Sequence, residues 1–124
     1  MPKSKSDDWE TPDIVFKIIE KEFSFSKDQF FDPCPLNYKL DALNIEWNKI
    51  NFVNPPYSLL KEFISKSIQE SKTKIIILLL PCKTDQQWFH DIWKLRNHVY
   101  WFKGRLKFKN AKWHATQPHF LIKI

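Results

Sequence analysis

The sequence holds 124 residues, 43% hydrophobic and 16% aromatic, with a formal net charge of +6. That length and apolar content suit one packed domain and exclude a disordered chain, while two cysteines are too few for a disulfide framework. No apolar run approaches the ~18 residues that cross a bilayer; the longest, 75–80, has six.

Residues 1–8 read as a flexible polar lead-in, and no apolar stretch follows residues 1–6 to make a secretory signal. With two cysteines that need no bridge, a reducing cytoplasm is the expected compartment. Residues 9–124 then form the single domain. Thr11-Pro12-Asp13 is a helix start: a Thr that can cap, a Pro at the first helical position and an acid in the first turn. Ile14, Val15, Ile18, Ile19 and Phe23 recur at helical spacing and predict a helix of about twelve residues. Residues 29–32 are expected as a short strand broken by Pro33 and Pro35. Residues 36–48 read as irregular, with Trp47 the buried anchor.

Residues 50–53 predict a second strand that stops at Asn54-Pro55-Pro56. Ser58 is expected to cap a helix with Leu60, Phe63, Ile64 and Ile68 on its apolar side. Residues 75–80, apolar at every position, predict a strand buried on both faces of a parallel sheet. Thr84 to Gln87 has the spacing of a capping box, opening a helix with Trp88, Phe89, Ile92 and Trp93 inward. Residues 99–102, 106–108 and 120–124 predict further strands. Strand and helix alternate through the middle, which points to an α/β sandwich without internal repeats.

Charge is unevenly placed. Residues 1–91 carry 12 Lys/Arg against 14 Asp/Glu, whereas residues 92–124 carry eight Lys/Arg and no acid. Such a basic end suits a polyanionic partner, because Lys and Arg displace counterions from phosphates. Between Lys103 and Lys109 basic and apolar positions alternate. A strand there would turn Leu106 and Phe108 inward and Lys103, Arg105, Lys107 and Lys109 outward. With Lys112, Trp113 and His114 in the next loop, that row is the expected surface for the polyanion; a lysine-protected edge strand is the plainer reading. Arg105 can alternatively brace the loop at Asn54.

Asn54-Pro55-Pro56-Tyr57 follows an apolar strand and precedes a helix, where open α/β sheets place their ligands. The four residues suit chemistry on a planar amine such as N6 of adenine, whose lone pair is delocalised into the ring. The Asn54 side-chain carbonyl and the Pro55 backbone carbonyl offer two acceptors for its two hydrogens, drawing the nitrogen toward tetrahedral geometry. Pro56 stiffens the loop, and Tyr57 offers a flat face on which an extruded base can stack.

Asn54-Pro55-Pro56-Tyr57 resembles the (D/N/S)-P-P-(Y/F/W) motif of amino-group methyltransferases. In order along the chain, Trp9-Glu10-Thr11-Pro12, Asp32-Pro33-Cys34, Asp41 with Trp47, the Asn54 tetrapeptide, Leu79-Leu80-Pro81, Thr84 to Trp88, and Gly104-Arg105 with Phe108 resemble the small phage and prophage Dam-type DNA adenine-N6 methyltransferases. The resemblance implies a Rossmann-like pocket for S-adenosyl-L-methionine, a double-stranded DNA substrate, and a phage- or prophage-encoded enzyme working in the bacterial cytoplasm. It implies that Trp9, Thr11 and Pro12 line the methionine and sulfonium end of that pocket. Asp32, with Pro33, Cys34 and Asn54 beside it, would meet the donor's amino group; Asp41 would meet its ribose or adenine. The implied reaction is direct in-line transfer to a flipped-out adenine.

Two departures stand out. The Gly-rich turn usual after the first strand is absent, Gly104 being the only glycine, and 21 residues separate Asp32 from Asn54. The fold is therefore expected to be an abridged version of the Rossmann-like sandwich, with weaker cofactor affinity or a homodimer completing the pocket. Other planar amines (cytosine N4, RNA adenine, protein glutamine) and a non-catalytic nucleic-acid-binding relic are the alternatives. The four histidines match no metal-ligand spacing, and no metal is expected. Neither Cys34 nor Cys82 has a partner base that would make it a nucleophile.

Overall fold

The computed structural model describes residues 10–34 and 42–124. Helix α1, Asp13–Phe23, buries Val15, Ile19 and Phe23 along one stripe and ends at Ser24 in the left-handed region. Strand β1, Ile50–Val53, is followed by a 3₁₀ turn, Tyr57–Leu59, and by helix α2, Leu60–Glu70. Strand β2, Ile75–Pro81, leads to helix α3, Gln87–Trp93. Strands β3, His98–Trp101, and β4, His119–Lys123, complete a four-stranded mixed sheet in the order β1-β2-β4-β3. β1 and β2 are parallel; β4 runs antiparallel to both β2 and β3.

Alternation along the strands explains the layers. Ile76, Leu78 and Leu80 of β2, Val53 of β1, and Phe120 and Ile122 of β4 face one core with α2, α3 and Trp47. Ile77, Leu79, Phe52 and Leu121 face the other core with α1, Leu106 and Phe108. The uniformly apolar run 75–80 thus lies in a strand covered on both faces, but the sheet around it is mixed and not parallel as expected, since β2 is parallel to β1 and antiparallel to β4. Asn51, fully buried in β1, bonds the N–H of Asn48 and the carbonyls of Asn48 and Ile75, so its polar side chain pins the entry of β1 against β2.

Several local expectations need correcting. The strand expected at 29–32 reduces to a single parallel bridge, Phe31 to Asn51, after a 3₁₀ turn at Lys27–Gln29. Pro33 ends the pairing before it can lengthen. The three side-chain caps do not form. Pro12, not Thr11, is the N-cap of α1, Ser58 lies inside a 3₁₀ turn, and α3 begins after Gln86. The backbone carbonyl of Thr84 accepts a bond from His90 Nε2 at 2.8 Å. Residues 106–108 are not a strand either. Leu106 and Phe108 point inward and Lys103, Arg105, Lys107 and Lys109 outward, as period-two alternation requires, but the segment pairs with loops. The Leu106 carbonyl accepts from Ala115 N–H at 2.7 Å, and Lys109 N–H donates to the Glu10 carbonyl at 3.0 Å.

Trp47 is buried as the sequence suggests, its indole donating to the Ala42 carbonyl and its ring stacked on Phe63. Its backbone N–H reaches Glu70, a 7%-exposed carboxylate also held by Lys66 at 3.0 Å and Lys74 at 2.6 Å. Burial pushes this carboxyl up, yet the donations from Lys74, Lys66 and Trp47 together hold it below its ordinary value. A carboxylate so depressed stabilises the fold above its ordinary range and loses that contribution as pH falls through its folded value. Glu70→Gln is therefore expected to cost about 1–2 kcal/mol at neutral pH. Urea unfolding at pH 7 and pH 3 tests it: the gap to wild type should shrink in acid, and an equal gap at both would refute the account.

Candidate active site

β1 delivers its carboxyl end at Val53, and the chain then turns through Asn54, the buried Pro55 and Pro56, and Tyr57. Two distant segments meet this loop. Thr11, ahead of α1, accepts a hydrogen bond from Asn54 Nδ2 at 3.0 Å through its Oγ1. With Nδ2 directed to Thr11, the other end of the amide is Oδ1, which can only accept. The Thr11 hydroxyl therefore serves the loop rather than the helix, which accounts for its absence from the cap.

From the other side, β4 begins where β2 ends, with Pro81 opposite His119. His119 Nε2 lies 3.0 Å from the Tyr57 hydroxyl. Burial pushes the Tyr57 phenol up to about 12 and the His119 imidazole down to about 4, the latter against the opposing bond to Gln117. Both are neutral around pH 7. His119 is the site residue that sequence reasoning missed; its only signal was a lone histidine heading the apolar run 120–122.

Asp32-Pro33-Cys34 leaves the sheet at the same edge. The parallel bridge at Phe31 sets the direction, and Asp32 Oδ1 accepts the Cys34 N–H at 2.8 Å. Pro33 and Cys34 are buried and Asp32 is exposed. Thr11, Pro12, Asp32 and Asn54 thus come to one edge of the sheet, while Trp9 and Asp41 lie outside the described residues. Among the described residues no group of three or more His, Cys, Asp or Glu is placed to hold a metal ion, and no helix is long and apolar enough to cross a membrane.

The basic segment roofs the start of α1. Lys109 Nζ pairs with Asp13 at 2.8 Å, and Asn110 accepts the Glu10 N–H at 2.9 Å. Gly104 takes a φ of +77°, a turn conformation costly for any residue with a Cβ. Arg105 donates to the Thr116 carbonyl at 2.7 Å, bracing the loop's own return rather than the Asn54 turn. Lys103, Lys107 and Lys112 are exposed, with Lys112 over the Trp113 ring. Between Tyr57 and this loop lies a cleft of about 370 Å³, lined by Phe108, Asn110, Lys112, Trp113 and His114 among others. Trp113 is 75% exposed at its rim.

A family model described as DNA N-6-adenine-methyltransferase (Dam) matches residues 1–119. Neither the curated proteins nor the solved structures contain a match.

Proposed function

Because the chain belongs to the DNA N-6-adenine-methyltransferase (Dam) family, we propose that it moves a methyl group from S-adenosylmethionine to N6 of an adenine extruded from duplex DNA. The observation that carries this reading is the oriented Asn54 amide at the carboxyl end of β1, held by Thr11. Asn54 Oδ1 and the Pro55 carbonyl take the two N6 hydrogens, Tyr57 stacks on the base, and buried Pro55 and Pro56 keep these groups from rearranging. When bound, S-adenosylmethionine supplies a sulfonium-borne methyl group that is electrophilic without a metal. N6 gains the methyl as the carbon–sulfur bond breaks with its electron pair left on sulfur, and N6 sheds one proton to water, so no side chain need act as a strong base.

The sheet edge also suits the donor's amino-acid end. Asp32 is an exposed carboxylate that leaves the sheet just after the Phe31 bridge, and its negative charge is a match for an ammonium group. Pro12 and Pro33, both buried there, supply apolar walls, and Trp9 and Asp41 are the further pocket residues we assign. We read the fold as an abridged Rossmann-like sandwich: the β1-α2-β2 crossover is present and the first strand is one bridge long. Lys103, Arg105, Lys107 and Lys112 supply phosphate contacts, while Lys109 contributes less because Asp13 neutralises it.

The test is a transfer assay with labelled S-adenosylmethionine and mixed-sequence duplex DNA, the product digested to nucleosides for mass spectrometry. N6-methyldeoxyadenosine is expected. N4-methyldeoxycytidine instead would replace the substrate, and no methylation together with no donor binding would overturn the reading.

A further inference from the structure

The Tyr57 hydroxyl is already engaged within the protein. His119 is 1% exposed, and its Nδ1 lies 3.2 Å from the Gln117 carbonyl. A carbonyl oxygen only accepts, so Nδ1 carries the ring proton and the unprotonated Nε2 accepts the Tyr57 O–H. Burial keeps the imidazole neutral and the phenol protonated, which are the states this bond needs. Phe108 meets the His119 ring edge-on at 5.4 Å, closing its remaining side.

Tyr57 itself is 38% exposed and forms a wall of two clefts. One is the cleft of about 370 Å³ under the Trp113 loop. The other, about 360 Å³, is lined by Ser58, Lys61, Lys83, Gln86 and Trp88 among others. A tyrosine free to rotate about its side-chain bonds would spread over several rotamers and would have to be ordered whenever a base bound.

We infer that His119 is a positioning residue for methyl transfer, locking the Tyr57 ring through its hydroxyl as a fixed stacking plate between the two clefts. The inference rests on the methyl-transfer reading above. It assigns the hydroxyl to the protein and the ring face to the base. It also makes β4, which carries His119 to the end of β1, part of the active site.

A double-mutant cycle tests it. Tyr57→Phe keeps the aromatic plate and removes only the hydroxyl; His119→Leu removes the acceptor at similar volume; His119→Gln keeps an acceptor. The first two should each lower kcat about tenfold, with KM for S-adenosylmethionine unchanged, and the double variant should lose no more than either. His119→Gln should recover to within about threefold of wild type, because an acceptor again meets the hydroxyl. Losses that multiply to about a hundredfold, or Tyr57→Phe turning over at the wild-type rate, would overturn the proposal. Should His119→Leu melt below the assay temperature, Tyr57→Phe and His119→Gln still decide it. If the wild type transfers no methyl group, the functional reading fails and the bond is read separately, from the ¹⁵N shifts of the His119 ring. Nε2 should resonate as an unprotonated acceptor and move in Tyr57→Phe; an Nε2 signal unmoved by that substitution shows there is no bond.

Discussion

Asn54→Ala is expected to lower turnover by about 100- to 1,000-fold, the usual loss when one preorganised polar group aimed at the reacting atom is removed. The variant deletes the side-chain acceptor that the proposed mechanism assigns to N6, and with it the Thr11 contact, leaving Pro55 as the other proposed acceptor. Donor binding should largely survive, because Asp32 and Pro12, which the proposal also places at the donor, come from other segments of the chain. Single-turnover methylation with saturating DNA reads the chemical step, and calorimetry with S-adenosylmethionine reads the donor site. Transfer within tenfold of wild type would remove Asn54 from the mechanism. Loss of donor binding in parallel would make it a cofactor residue instead.

Phe120→Ala should be the most damaging core substitution, at about 3–5 kcal/mol. Phe120 is fully buried in β4, paired across to Leu80 and Trp101, with its ring 5.3 Å from Phe89 and 5.0 Å from Trp101. Its truncation opens a cavity where β2, β3, β4 and α3 meet, and the close-packed layers on either side have little room to collapse into it. For a chain of this size that loss lowers the melting temperature on the order of 10–20 °C, measurable by circular dichroism. A drop of only a few degrees would mean that β4 packs at an edge and not inside the sheet. The same strand positions His119, so transfer activity in this variant should fall at temperatures below its own melting point.

The parts of the site that lie close together in the chain were legible from residue order. An apolar strand running into Asn54-Pro55-Pro56-Tyr57 and then a helix is a local pattern, and β1, the loop and α2 form it as read. Hydrophobic period was equally informative: Leu60, Phe63 and Ile64, or Trp88, Phe89 and Ile92, are buried because residues three and four apart share a helical face. Even the 103–109 segment turned its side chains the way alternation demands. Its hydrogen bonds were not legible, since they go to Glu10 and Ala115, and a partner in a loop leaves no periodic trace.

Caps failed for a related reason. Thr11 has the right chemistry to cap a helix, but its hydroxyl meets Asn54 across the fold, and the helix after Thr84 starts beyond reach of that side chain, with Gln86 as its N-cap. A local propensity of about 1 kcal/mol yields when a tertiary contact offers as much and also positions a functional group.

By itself, then, the amino-acid sequence determined the family, the α/β class, the helical and strand faces, the basic end and the tetrapeptide. The family is carried by the order of motifs along nearly the whole chain; the others are written in composition or in short-range spacing, where steric and hydrophobic preferences act residue by residue. Only the tertiary structure decided that β4 inserts antiparallel between β2 and β3, that Thr11 orients Asn54 across 43 positions, and that His119 holds Tyr57 across 62. Those pairings depend on which segments the burial of two apolar faces brings together, and no property of either residue alone encodes its partner.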